Sequence, residues 1–223
     1  MKKVMTTLGT FGVIIASVPA AASPATGADG QQKAAPRFEA AIGVHGWPKL
    51  ADIRATQGEF DEAGFSLAGA AHWPLSSFGN GKLLIGADIG AFTNDSNIPL
   101  LQDTLISRGA YFIPSVKWRA AERFSLDLGI GLYLVDIAEV DSEYFFTETE
   151  VWEQGTAGGY VGATWDMLSA GGSPTRGFFI SAKVHFFELG PVRDEDETLP
   201  VRFGRDAGDL SGPLYQLQLG YRW

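Results

Sequence analysis

The sequence predicts an all-β fold: an eight-stranded, antiparallel, up-and-down barrel that crosses a membrane, with both termini at one end and four long connections at the other. Three observations predict it. Eight runs of about ten residues alternate between two parities; in all eight, charges keep to one parity; and long and short connections alternate between the runs.

The chain before the barrel has its own signature. Lys2 and Lys3 form a positive start, Leu8 to Val18 is mostly apolar, and Ala20-Ala21-Ala22 offers small residues for cleavage. Residues 1–22 are therefore expected to be a secretory signal, its apolar run being too short to span a bilayer as a helix. Residues 23–36, rich in Ala, Gly, Pro and Gln, read as a flexible leader, and 37–223 as the barrel. Without Lys2 and Lys3 the chain keeps 15 basic and 26 acidic residues, a net charge of −11 that argues against nucleic acid as a partner. There is no cysteine, so an exported domain must be held by hydrogen bonds, packing or its solvent. With 28 glycines and 45% apolar residues, either a soluble lipocalin-like cup or a transmembrane barrel fits the composition.

The runs decide between these. The first carries Phe38, Ala40, Ile42, Val44 and Gly46 on one face, the second Phe65, Leu67, Gly69, Ala71 and Trp73, the third Leu83, Ile85, Ala87, Ile89 and Ala91. The fourth shows Ala110, Phe112, Val116 and Trp118, with Pro114 between them; the fifth shows Phe124, Leu126, Leu128, Ile130, Leu132 and Leu134. The sixth has Ala157, Gly159, Val161, Ala163 and Trp165, the seventh Phe178, Ile180, Ala182, Val184 and Phe186, the eighth Tyr215, Leu217, Leu219, Tyr221 and Trp223. The opposite parity holds Glu39, Asp88, Lys117, Asp127, Asp166, Lys183 and Arg222. That distribution expects lipid outside and a polar lumen within.

Connections give the orientation. The first, third, fifth and seventh are long, whereas "PLSSFGNG", "RAAER" and "MLSAGGSPTRG" are short, so the long ones are expected outside the cell and the termini in the periplasm. In that orientation Trp73, Trp118, Trp165 and Trp223 all fall at the periplasmic ends of outward faces, level with Phe38, Phe124 and Phe178. They form an expected aromatic girdle at one interface, with a thinner outer ring of Phe65, Phe112, Phe186 and Tyr215. Pro114 conflicts with a mid-strand position in a closed barrel, and a bulge or a site nearer the rim is expected to resolve this.

On these residues the region 37–223 resembles the small outer-membrane barrels of Gram-negative bacteria, of the OmpA-transmembrane, OmpX and OmpW type. The resemblance is sharpest in "PLYQLQLGYRW", where Tyr215, Leu217, Leu219, Tyr221 and Trp223 match the terminal pattern of that group. It implies recognition by the barrel-assembly machinery during insertion, and outer-membrane lipid and lipopolysaccharide as surroundings. For the OmpW type it also implies an apolar lumen linked to uptake of small hydrophobic molecules.

Candidate sites follow from inward parity. Glu39, Asp88, Lys117, Asp127 and Lys183 form a candidate lumenal charge network, with Lys117 brought close to Asp127 across "RAAER". Paired charges there are expected to close a bore that eight strands leave only wide enough for side chains. Trp47, Phe92, Tyr111, Tyr133, Tyr160 and Phe187 line the upper lumen, beside Val135 and Leu214 and inward glycines such as Gly90, Gly129 and Gly158. They are either an apolar ligand cup or rings packed on one another. His45 and His185 offer a metal or acid–base pair, or simply two hydrogen-bonded lumenal side chains. Lipid A deacylases place His and Ser two residues apart on a strand; Ser181 and His185 are four apart, about 13 Å at ~3.3 Å per residue, too far to touch. Nucleotide loops and metal motifs such as HExxH are absent, so no cofactor is expected.

Acidic residues crowd the long connections: Glu139, Asp141, Glu143, Glu148, Glu150 and Glu153, then Asp-Glu-Asp-Glu at 194–197. They read as solvated runs, or as ligands for divalent cations that bridge lipopolysaccharide. The sequence thus points to a non-enzymatic envelope barrel with a structural or surface-interaction role. Binding of small hydrophobic molecules is the alternative, and acyl-chain hydrolysis a distant third.

Overall fold

Period-two patterning produces eight strands, and each finds its sequence neighbour. The computed structural model describes residues 35–52, 63–98, 103–141, 147–169, 176–190 and 210–223. The strands are β1 (Arg37–Gly46), β2 (Ala63–Phe78), β3 (Gly81–Ile98), β4 (Asp103–Arg119), β5 (Phe124–Asp141), β6 (Thr147–Ser169), β7 (Gly177–Phe187) and β8 (Gly212–Arg222), with a short 3-10 turn at Pro48–Asp52. All pair antiparallel in chain order, and β8 returns to β1 to close the barrel. The seam runs from Glu39↔Arg222 to Gly46↔Tyr215, so the closing stretch supplies the last edge with its partner. The expected signal and leader lie outside the described residues, apart from Ala35 and Pro36.

Burial follows parity and is inverted relative to a soluble protein. Ile130 is 75% exposed, Phe65 74% and Leu132 65%, whereas Lys117 and Asp88 are buried at 4% and 2%. The belt on β5 runs from Phe124 to Leu134. Ten residues span about 33 Å along a strand, or about 25 Å normal to the membrane at a typical tilt, the height of a lipid-facing band. Above Leu134 the outward position is Asp136, and Arg108 Nη2 on β4 donates to its carboxylate at 2.5 Å. Charge reappears on the outside as soon as the band ends. At the other end the girdle forms through strand pairing: Phe124 faces Trp165 at 6.4 Å, Phe178 faces Tyr221 at 5.1 Å, and Phe38 stacks on Trp223 at 6.3 Å.

Three expectations about connections change. "PLSSFGNG" is mostly strand: β2 continues through a bulge between Pro74 and Ser76 to Phe78, leaving the two-residue turn Gly79–Asn80. Gly79 takes φ +58°, the left-handed region where a Cβ is costly. Two of the long connections are likewise largely strand, since β3 and β4 pair out to Ile98↔Asp103 and β5 and β6 to Asp141↔Thr147. Strand pairing satisfies the backbone there and lifts two hairpins beyond the band.

Pro114 is neither bulged nor near the rim. It pairs with Ala87 on β3 without a register shift, and its ring is on the exposed outer face. On the β5 side pairing stops at Phe112↔Leu132 and resumes at Ser115↔Gly129 in the same register. The missing donor thus faces β5, where Gly129 and Gly131 lie so close to Ile113 and Pro114 that side chains on them would collide.

Candidate functional site

Among the described residues the lumen gathers the buried polar and charged side chains, and it divides by height. In the lower half, inward residues of five strands meet in the bore. Lys117 Nζ on β4 donates to Glu39 Oε2 on β1 at 2.7 Å and lies 3.7 Å from Asp127 on β5. The expected Lys117–Asp127 neighbours are register partners, but the shorter contact crosses the bore to Glu39. Arg222 Nε on β8 donates to Glu39 Oε1 at 2.7 Å, and its Nη1 to both oxygens of Asp166 at 2.8 and 2.9 Å. Arg119 donates to Asp166 Oδ2 at 3.1 Å and to the Glu122 carbonyl.

Asp88 on β3 organises the middle. It accepts from Lys183 Nζ at 2.7 Å, Ser115 Oγ at 2.5 Å and the Tyr160 hydroxyl at 2.9 Å. Because Ser115 spends its only proton on Asp88, its oxygen accepts from His72 Nε2 at 3.0 Å, which fixes that tautomer. The Lys183 ammonium also sits 4.5 Å from the centre of the Tyr160 ring. Sequence reasoning did not assign Ser115 and Tyr160 to this network, although both share the inward parity of the charges. A void of ≈ 10 Å³ lies among Glu39, Asp88, Asp127, Thr164, Ser181 and Gln218, room for about one water.

The upper half is apolar. Trp47, Phe92, Tyr111, Tyr133, Tyr160 and Phe187 belong to one buried cluster, joined by Leu50, Ile113, Val135, Ile137, Trp152, Leu189, Leu210 and Leu214. Trp47 is fully buried and meets Phe92 and Phe187 edge-on at 5.9 and 5.5 Å. Tyr133 lies 4.8 Å from Phe187 and 5.9 Å from Tyr111. The 3-10 turn carries Leu50 into the same cluster, where it is also fully buried. The inward glycines do not leave open space, for the Tyr111 ring lies against Gly90 and the Phe92 ring against Gly109.

The histidines are held apart by their partners. His45 Nε2 donates to Asn94 Oδ1 at 2.5 Å. His185 Nε2 donates to Gln216 Oε1 at 2.9 Å while its Nδ1 accepts from the Tyr133 hydroxyl at 2.9 Å. Ser181 donates to Gln218 Oε1 at 3.3 Å rather than to a histidine. Among the described residues no group of three or more His, Asp or Glu side chains is placed to hold a metal ion. Of the acidic connection, Glu153 is exposed, while Glu143 and residues 194–197 lie outside the described residues.

No protein-family model matches the chain, and no curated protein sequence matches it. Among solved structures it is similar to Ail, the attachment invasion locus protein of Yersinia pestis, in complex with the heparin analogue sucrose octasulfate. The identity is 12% and the TM-score 0.44, over 85% of this chain and 99% of that one. It is also similar to Neisserial surface protein A at 14% identity and a TM-score of 0.42, over 84% of this chain and 94% of that one. By its closed eight-strand register, exposed apolar belt and buried charges in the lower lumen, the chain is a transmembrane β-barrel of the outer-membrane type.

Proposed function

We propose that the protein is a non-conducting, non-enzymatic outer-membrane barrel that acts from its surface, in a structural or surface-interaction role, with the termini in the periplasm. The supporting observation is the filled lumen. Glu39, Lys117, Asp88 and Lys183 are buried and paired across the lower bore, and a continuous aromatic cluster lies above them, with Trp47 and Leu50 buried in it. Partners of the interacting surface would meet the hairpins β3–β4 and β5–β6, which extend beyond the lipid band. The non-enzymatic part draws support from Ser181 and His185, each engaged by partners other than the other.

The test is conductance in planar bilayers, together with uptake of a hydrophobic dye into proteoliposomes. The expected outcome is no defined channel current and no protein-dependent dye entry. Stepwise currents, or dye entry that Trp47→Ala or Tyr133→Ala alters, would overturn the closed-lumen reading in favour of small-molecule uptake through the upper half.

A further inference from the structure

We infer that the end of the barrel bearing the termini carries a phosphate-binding collar for anionic phospholipid headgroups. The inference rests on the orientation proposed above, which puts this end at the phospholipid leaflet. It starts from a repeat that the barrel architecture does not require. Each of the four strands rising from this end begins at a cation: Arg37 before Phe38 on β1, Lys82 before Leu83 on β3, Arg123 before Phe124 on β5, and Arg176 just before Gly177 and Phe178 on β7. Four strand starts thus place a positive charge at the rim just past the apolar belt. Arg37, Lys82 and Arg123 share the lumenal parity, and Arg37 is half-buried beside the lumenal charge network. Lys82 and Arg123, however, are exposed at the rim, where long apolar stems let a charged head reach the headgroup layer.

Depth gives the pattern its meaning. Aromatic girdles sit at the boundary between acyl chains and headgroups. Register puts Leu83 opposite Trp118 and Lys82 opposite Arg119, so Lys82 lies one residue, about 3.3 Å, beyond the ring level. Arg123 holds the same position relative to Phe124, which faces Trp165. That is the layer of lipid phosphates.

The cations are available. Lys82, Arg123 and Arg176 are exposed, and their side chains have no hydrogen-bond or ion-pair partner among the described residues. Arg119 and Arg222, by contrast, are committed to Asp166 and Glu39. Glu122 is the one exposed carboxylate at this rim among the described residues. The opposite end has the reverse balance. There the exposed charges among the described residues are Glu153 and Glu188, Lys49 is half-buried in the 3-10 turn, and Arg108 is bound to Asp136. A uniform solubilising surface would not divide its charges by leaflet, whereas a collar for phosphate would.

The experiment uses the full chain reconstituted in phosphatidylcholine bilayers with trace spin-labelled phosphatidylglycerol or spin-labelled phosphatidylcholine. The fraction of each label immobilised by the protein gives the relative affinity. A surface cation favours an anionic headgroup by roughly fivefold, so averaging over the lipid shell leaves an expected preference of about twofold for phosphatidylglycerol. Lys82→Gln/Arg123→Gln/Arg176→Gln is expected to abolish it, high salt to weaken it by screening, and Arg108→Gln at the other end to leave it unchanged. Equal affinities in the wild type, or a preference that survives the triple substitution, would overturn the collar. Folding of the variant is checked by heat-modifiable gel migration. If the triple variant does not fold, the three single substitutions must each lower the preference, and no lowering in any of them is equally fatal. Currents through the same bilayers report separately on the closed lumen, so channel activity with an intact lipid preference would sink that reading and leave the collar standing.

Discussion

The two halves of the lumen fill the same bore by opposite means. Below, Glu39, Asp88, Asp127 and Asp166 are matched by Lys117, Lys183, Arg119 and Arg222, and most of these groups are tied to strands across or around the bore. Above, Trp47, Phe92, Tyr133 and Phe187 touch one another through ring edges and faces, with few hydrogen bonds. Ion pairs depend on stoichiometry, because removing one member leaves its partner buried and charged. Rings depend on volume, because removing one leaves a space that neighbours only partly refill. Tyr160 joins the halves, its ring in the aromatic cluster and its hydroxyl on Asp88.

The largest effect expected is in the lower half. Asp88→Ala removes the acceptor of Lys183, Ser115 and Tyr160, and should cost about 3–5 kcal/mol in urea unfolding from vesicles, followed by tryptophan fluorescence. Asp88→Ala with Lys183→Met should recover part of that loss, since the stranded ammonium goes too. A double variant as unstable as the single one would mean that charge matching does not hold the lower lumen.

Next comes the upper half. Trp47→Ala should cost about 3 kcal/mol, the low end for a buried ring, because the 3-10 turn beside it can settle inward. A loss below about 1 kcal/mol would show that the mouth is not part of the core. The smallest effect is at the junction. Tyr160→Phe keeps the ring and removes one of three donors to Asp88, for a loss of about 1.5 kcal/mol. A loss as large as that of Asp88→Ala would erase the distinction between the two regions.

Legibility in the sequence followed the same division between pattern and contact. The lipid face of every strand was readable, since parity decides burial wherever one face meets lipid and the other a lumen. The Lys117–Asp127 neighbourhood was readable because a tight turn fixes the register of the strands it joins. Glu39 as the nearer partner of Lys117 was not, being on a strand that the barrel brings opposite only when it closes. The same holds for Ser115 and Tyr160 on Asp88: inward parity was visible, whereas height and reach across the bore depend on strand stagger. Pro114 stood against local rules, and it is accommodated where the β4–β5 ladder is interrupted between Phe112↔Leu132 and Ser115↔Gly129.

By itself, then, the sequence determined which way each side chain faces, where the lipid band lies and which end carries the girdle, because those follow from a period of two along a single strand. The tertiary structure alone decided which inward residues meet. That includes Tyr111 and Phe92 lying over glycines and Trp47 buried against Phe92 and Phe187, so that rings occupy the space the glycines open. Contacts across a barrel depend on the stagger of all eight strands at once, and no single strand carries that information.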